Sequence, residues 1–347
     1  MNDSAILKIK DLSGILGVST HLLYKIVKEN SIDSISEGNK KVLPPLSVRK
    51  IMELRGFRYS PKNKPLIINV FGMKGGIGKT SIATALAEGA SRLGFRVLAV
   101  DLDMQANLTQ SFRMKKKSQY VLRHVIDEDT HVTISQTISN VHPFLDLVPS
   151  SLENSKVEIL LSQKTIDFIG YFNQLFRGVF KNYDLIVLDC PPSVNKITTC
   201  ATCFADINLI PVNADTDSFD GVSMSVSEIK RLESMFQDRH LKIDYKILFN
   251  KYDAREKLSF QVMGYIGQEN DLAEHLLPIV IRTDTAFKNT KADGAHIFDL
   301  QKSSGREDCI SLITEITGIN KWIEEKSASN KGAAIQQPAL EESTVKA

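Results

Sequence analysis

Residues 71–80 read FGMKGGIGKT and follow directly on the apolar run Leu66 to Val70. A strand that enters a glycine-rich turn and then a helix holds phosphate, because bare loop amides and the positive end of the helix converge on one anion. In the pattern GxxxxGK(S/T) those amides cradle the phosphates, the lysine reaches the β and γ oxygens, and the hydroxyl binds magnesium. Gly78, Lys79 and Thr80 match its second half, while Gly75 and Gly76 let the backbone approach the ligand closely. Ile77 and Ser81 complete the candidate binding run, Gly75 to Ser81. The pattern's first glycine is replaced by Met73, and beside it stands a second lysine, Lys74, which the phosphate pattern alone does not require.

Two further stretches carry carboxylates where such a site needs them. VLAVDLDMQAN, 97–107, ends an apolar strand with Asp101 and Asp103, two residues apart and so on one face. YDLIVLDCPPS, 183–193, is a buried strand ending in Asp189. A buried carboxylate without company is costly, so a metal ion or a cation is expected beside these strand ends.

Taken with these acids, KGGIGKT resembles the deviant Walker A motif of the ParA/MinD ATPases. The resemblance implies ATP and Mg2+ as cofactors, and a homodimer that sandwiches two nucleotides. In that dimer Lys74 reaches across to the phosphates held by the partner subunit, while Lys79 serves its own. Two tetra-anionic nucleotides at one interface repel, and a lysine donated in trans neutralises them only when the dimer closes. The family's D-x-D-P-Q element appears here as DLDMQ, with Met104 for proline and Gln105 kept. By resemblance Asp103 positions the attacking water, Asp101 supports the metal shell beside Thr80, and Asp189 holds magnesium through water as the Walker B aspartate. LIPVNADTDSFDGVSMS and ILFNKYDAREKLS resemble the family's segments near the base and the dimer face, which puts Asn250 by the adenine. The resemblance covers roughly residues 66 to 318.

The elements that position these residues alternate. Short β-branched runs at 66–71, 96–101, 144–148, 183–189, 206–212, 243–249 and 278–282 are separated by helical stretches. That pattern predicts an α/β fold, a P-loop NTPase with a mainly parallel sheet covered by helices on both faces. The unit is expected over 66–325, after a polar linker RYSPKNKP at 58–65. Residues 326–347, KSASNKGAAIQQPALEESTVKA, are small and polar and are expected to be disordered.

Residues 1–57 have a different texture. Lys10 to Leu16, the turn GVS, and Thr20 to Lys28 form a helix-turn-helix pattern whose second helix opens on Ser19 or Thr20. It would offer Thr20, His21, Tyr24, Lys25 and Lys28 to a major groove, with Leu22, Leu23, Ile26 and Val27 packed inward. A basic hairpin tip, Lys40 and Lys41, and a helix carrying Arg49, Lys50 and Arg55 make it a small winged DNA-binding head. The alternative is a packing or dimerisation module with solvated lysines. A head joined to this ATPase resembles the larger, autoregulatory ParA proteins of low-copy plasmids.

Bulk properties bound the rest. With 347 residues, 42% hydrophobic and 24% charged, the chain can bury a large core, and its net charge of +2 leaves any DNA surface to local clustering. Arg255, Lys257, Arg282, Lys288 and Lys291 are the candidates for nonspecific double-stranded DNA contacts. No run approaches the roughly 18 to 20 apolar residues of a membrane span, so a cytoplasmic protein is expected, and the resemblance implies association with the nucleoid. Four cysteines are few for a disulfide scaffold, and CATC at 200–203 is read as packing on a helix, with an iron–sulfur cluster between subunits as the sharper alternative. The resemblance implies a ParB-like centromere-binding partner that stimulates slow hydrolysis, no membrane contact, and operator binding by the head. Competing classes are a MinD-like membrane ATPase, a metabolic or metal-cluster P-loop enzyme, a positioning ATPase for another cargo, and mainly a transcriptional regulator.

Overall fold

The computed structural model describes residues 6–335 apart from 39, 115, 216, 217, 294 and 301. Eleven strands lie among the described residues. β1 (Leu7–Lys8), β2 (Ile35–Glu37) and β3 (Lys40–Leu43) form a small sheet in the order β1-β3-β2. β4 (Leu66–Val70), β5 (Val97–Asp101), β6 (Ser139–His142), β7 (Leu145–Val148), β8 (Leu185–Asp189), β9 (Ile207–Val212), β10 (Tyr245–Tyr252) and β11 (Leu276–Arg282) form the large one. Its order is β11-β10-β9-β4-β8-β5-β7-β6, parallel except for β6 against β7.

The longer helices are α1 (Ile9–Leu16), α2 (Thr20–Glu29), α3 (Pro45–Leu54), α4 (Lys79–Arg92), α5 (Asn107–Ser111, short but at the site), α6 (Lys196–Phe204), α7 (Ser218–Met235), α8 (Lys257–Gln268), α9 (Ala286–Asp293), α10 (Ser304–Ile316) and α11 (Ile319–Ile335). The central strands β4, β5 and β8 are buried along nearly their whole length, which is why they read as unbroken apolar runs rather than alternating ones. Because the sheet is parallel, the loops after β4, β5 and β8 all emerge at one edge, and ligands bind in that crevice.

Residues 6–57 follow the expected order of helix, turn, helix, hairpin and helix. Gly17 makes the turn in the left-handed region at φ 60, and the Ser19 side chain caps α2 by accepting from Leu22 N at 3.2 Å. This head packs into the body. Its Leu12, Leu23, Ile51 and Met52 share one continuous core with Ile82, Leu86 and Leu312.

The segment expected to be a free linker is part of that packing. Tyr59 is buried, stacks edge-on to Phe95 at 4.6 Å, lies under the Arg49 guanidinium, and donates its hydroxyl to Leu93 O at 2.8 Å. The tail differs too: α11 continues through Ile335, so residues 326–335 are helical. Trp322 on this helix packs against Phe57, and Lys326 lies over the Trp322 ring and donates to Arg55 O, which anchors a helix the composition did not reveal. Residues 336–347 lie outside the described residues.

Candidate functional site

The loop between β4 and α4 floors a cleft of about 760 Å³ lined by Gly75, Gly76, Gly78, Lys79, Thr80 and Ser81. Ile77 is buried beneath it. The Lys79 ammonium donates to Lys74 O at 2.9 Å, which spans the loop from its helix end to its entry. Burial lowers the Lys79 pKa, with Asp189 and other acids opposing that shift. Gly78 sits at φ 92, and a Cβ there would lie 2.3 Å from Asn250 Nδ2. That amide donates to Ile77 O at 2.7 Å. Asn250, expected beside the adenine, is therefore a buried brace under the loop, because the end of β10 passes directly beneath Gly78.

The three aspartates converge because their strands are neighbours. Asp101 at the end of β5 is paired in register with Asp189 at the end of β8, which pairs on its other side with Val70 at the root of the loop. Both Asp101 oxygens are committed to the protein. Oδ1 accepts from Asp103 N at 3.2 Å, and Oδ2 accepts from Thr109 N at 2.8 Å and Thr109 Oγ1 at 2.6 Å. Asp101 thus shapes the turn that carries Asp103 and leads into α5. Burial pushes its pKa up to about 6, against the Thr109 bonds.

Asp189 is the reverse case. Both its carboxylate oxygens are buried and lack a hydrogen bond among the described residues, although the Thr80 hydroxyl is near enough to favour the ionised form. Burial first, then the Asp101 charge, push its pKa up to about 8. An orphaned buried carboxylate beside a threonine hydroxyl is what a hard divalent cation satisfies, so the residues fit magnesium. Asp103 lines the cleft itself, its Oδ1 held by Gln105 N at 2.9 Å.

Lys74 does not line its own cleft among the described residues. It forms an ion pair with Asp215, in the loop after β9, and its aliphatic stem rests on Gly221 of α7. The sequence resemblance marked these segments without their contacts to the loop: Ser225 Oγ accepts from Met73 N at 3.2 Å, and Asn213 Nδ2 and Lys251 Nζ donate to Gly76 O at 3.4 and 2.9 Å. They lie in LIPVNADTDSFDGVSMS and ILFNKYDAREKLS, the stretches expected near the base and the dimer face. Met104 on the cleft lining leaves a large apolar side chain exposed, as do Leu152, Ile159 and Val194, each within two residues in sequence of a lining residue.

The candidate DNA residues divide. On α2, Thr20, His21, Tyr24, Lys25 and Lys28 are exposed together, with Leu23 and Val27 buried opposite. Leu22, expected inward, is exposed because it falls on the outer face. Arg49, expected on the basic face of the head, points into the body. Lys257 and Lys288 are exposed. Arg255 is chelated by Asp253 through bonds of 2.9 and 2.7 Å, and Arg282 by Asp308 at 2.7 to 3.1 Å, so acids of the same protomer already occupy both guanidiniums. The side chain of Lys291 lies outside the described residues. Cys200 is buried on α6 in the cluster that includes Phe172, Phe176 and Phe204. No helix among the described residues is long and apolar enough to cross a membrane.

The chain matches a family model described as an AAA domain over residues 66–243. It is 31% identical over 246 residues to the cell division protein PomZ of Myxococcus xanthus, covering 70% of this chain and 75% of that one. It is likewise 31% identical over 259 residues to the sporulation initiation inhibitor protein Soj of Bacillus subtilis, covering 72% and 97%. Among solved structures, an ATP complex of McdA from Cyanothece superposes with a TM-score of 0.64 at 18% identity over 74% of this chain and 97% of that one, which shows the fold.

Proposed function

Because the chain belongs to the ParA/MinD family of P-loop ATPases, we propose that it is a DNA-partitioning ATPase whose nucleotide-closed homodimer binds DNA without sequence preference. One observation carries the reading: Lys74 is held outside the phosphate cradle that Lys79 serves, at the lip of the loop. A second lysine in that place suits a neighbour's phosphates better than its own. The exposed apolar side chains of Met104, Leu152, Ile159 and Val194 supply the kind of surface a second copy would cover.

In this mechanism the loop amides and Lys79 bind the phosphates, and the fixed donors need no reorganisation as charge develops. Thr80 and Asp189 would hold magnesium, which would supply positive charge beside the phosphates. Asp103 orients the attacking water from a turn that Asp101 holds rigid. Lys74 of the partner subunit completes the site only in the closed dimer, which links hydrolysis to assembly. A ParB-like centromere-binding protein then stimulates slow turnover and releases the DNA.

Lys257 and Lys288, with the dimer doubling their number, are the better candidates for nonspecific contacts, and such binding falls steeply with salt. The exposed face of α2 favours a further role for the head, specific binding to an operator for autorepression. The relatives' names, a cell division protein and a sporulation inhibitor, favour as second reading a positioning ATPase for another cargo.

The test is ATP turnover and DNA release with Asp103→Ala. The variant should bind ATP as wild type does, lose about a hundredfold or more in hydrolysis, and stay on random-sequence duplex DNA once loaded. Unchanged hydrolysis would remove Asp103 from the mechanism, and absent ATP-dependent DNA binding would favour another cargo. On operator DNA, Lys25→Ala with Lys28→Ala should lose affinity, while its ATP-dependent binding to random-sequence duplex should persist.

A further inference from the structure

Lys251 holds a backbone conformation that its residue type disfavours. At φ 54 it lies in the left-handed region, where a Cβ crowds the following carbonyl and glycine is the usual occupant. The position is an irregularity in β10, whose register against β11 slips between Asn250 and Tyr252. Thr283, just past β11, clasps it: Thr283 Oγ1 donates to Lys251 O at 2.9 Å and Thr283 N to Tyr252 O at 2.8 Å. Strain that the surroundings enforce in this way points to what the side chain reaches.

It reaches a carbonyl of the phosphate loop. Lys251 Nζ donates to Gly76 O at 2.9 Å, and Asn213 Nδ2, just past β9, reaches the same oxygen at a longer 3.4 Å. Asn250, the neighbouring residue, donates to Ile77 O at 2.7 Å. Two consecutive loop carbonyls are thereby tied to the ends of β9 and β10. In a trans peptide the carbonyl and the N–H that follows it point in opposite directions. Fixing Gly76 O and Ile77 O therefore aims the amides of Ile77 and Gly78 away from these donors and in a common sense, which is how successive N–H groups form a concavity for an anion. Glycine loses more freedom on ordering than any other residue, so a loop with Gly75 and Gly76 at its centre gains most from being ordered in advance.

We infer that Lys251 is a positioning residue that preorders the phosphate loop through Gly76 O, and that the strained turn of β10 is retained because it brings the ammonium there. The inference rests on the reading of the cleft as the nucleotide site and is indifferent to what the ATPase moves.

The test is titration of the full chain with magnesium ATP and magnesium ADP, alongside melting of the nucleotide-free protein. Lys251→Met keeps the stem and loses the donor. It should bind both nucleotides about fivefold more weakly, a modest loss because the bond is open to water. Lys251→Arg should restore wild-type affinity. Lys251→Gly removes donor and strain together, so it should bind as weakly as Lys251→Met yet melt at a higher temperature than that variant. A residue that only supported the fold would move affinity and melting in the same direction. In an Asn213→Ala background Lys251→Met should cost more than in wild type, because Gly76 O then loses both side-chain donors. Losses that simply add would mean that the ammonium meets the nucleotide directly, and would overturn the positioning role. So would Lys251→Met binding both nucleotides as tightly as wild type. Wild type binding neither nucleotide would instead remove the nucleotide site, and the inference with it.

Discussion

Arg49 on α3 donates to Asp184 Oδ2 at 2.6 Å, joining the head to the foot of β8, whose far end carries Asp189. Asp184 is fully buried and also accepts from Arg96 at 2.8 to 3.1 Å and from Ser60 Oγ at 3.1 Å. Burial alone would raise its pKa, but the bonds from Arg96 and Arg49 outweigh it and hold the carboxyl below its usual range. The head is thus keyed to the body by a buried charge cluster rather than suspended from a tether.

Removing one partner of such a cluster leaves the others buried and uncompensated. Asp184→Ala should cost about 3 to 5 kcal/mol of stability, measured by denaturant unfolding. Arg49→Ala should cost less, because Arg96 remains, yet should expose residues 55–65 to protease. A carboxyl with a depressed pKa stabilises the fold fully above its unfolded value and progressively less as pH falls through its folded value. Glu88, held at about 2 against burial by His142 and Arg92, acts in the same direction. Stability should therefore decline as pH drops from about 4.5 toward 2 and stay flat with respect to these two groups above that window.

Gly78 and Asn250 make a second prediction. Gly78→Ala would strain a left-handed residue and drive a Cβ onto the Asn250 amide, so nucleotide affinity should fall at least tenfold, about 1.4 kcal/mol. Asn250→Ala should weaken binding of ATP and GTP equally, as measured by nucleotide titration. A selective loss of ATP would return Asn250 to the adenine.

The basic surface gives a third. Lys257→Glu with Lys288→Glu should abolish nonspecific DNA binding while leaving turnover and melting intact, and lysine-to-alanine changes should flatten the slope of log affinity against log salt by about one for each phosphate left unneutralised. Arg282→Glu should instead lower the melting temperature, since it places a carboxylate against Asp308.

Much of the fold was legible because a parallel sheet buried on both faces writes itself as apolar runs, and seven of the eight body strands lie where those runs are. β6 escaped because SNVH carries only one aliphatic residue and pairs antiparallel at the edge. The helix through Ile335 escaped because its support, Trp322 on Phe57, is tertiary. The loop lysine and the strand-end acids were legible because their spacing is local. Asn250 was legible as a site residue but not for its bond to Ile77, nor was the contact of Asp215 with Lys74, since each acts across well over a hundred residues of sequence. Nor does sequence distinguish an arginine that faces DNA from one such as Arg49 that faces a buried aspartate.

The central claim is that Lys74 couples nucleotide to assembly, and the most direct measurement is binding to a random-sequence duplex with magnesium and ATP, ADP or neither, for wild type and Lys74→Ala. The account predicts strong, salt-sensitive binding by wild type with ATP alone, and its loss in the variant while ATP affinity at low protein concentration persists. Binding by Lys74→Ala equal to wild type, or wild-type binding indifferent to nucleotide, would contradict it.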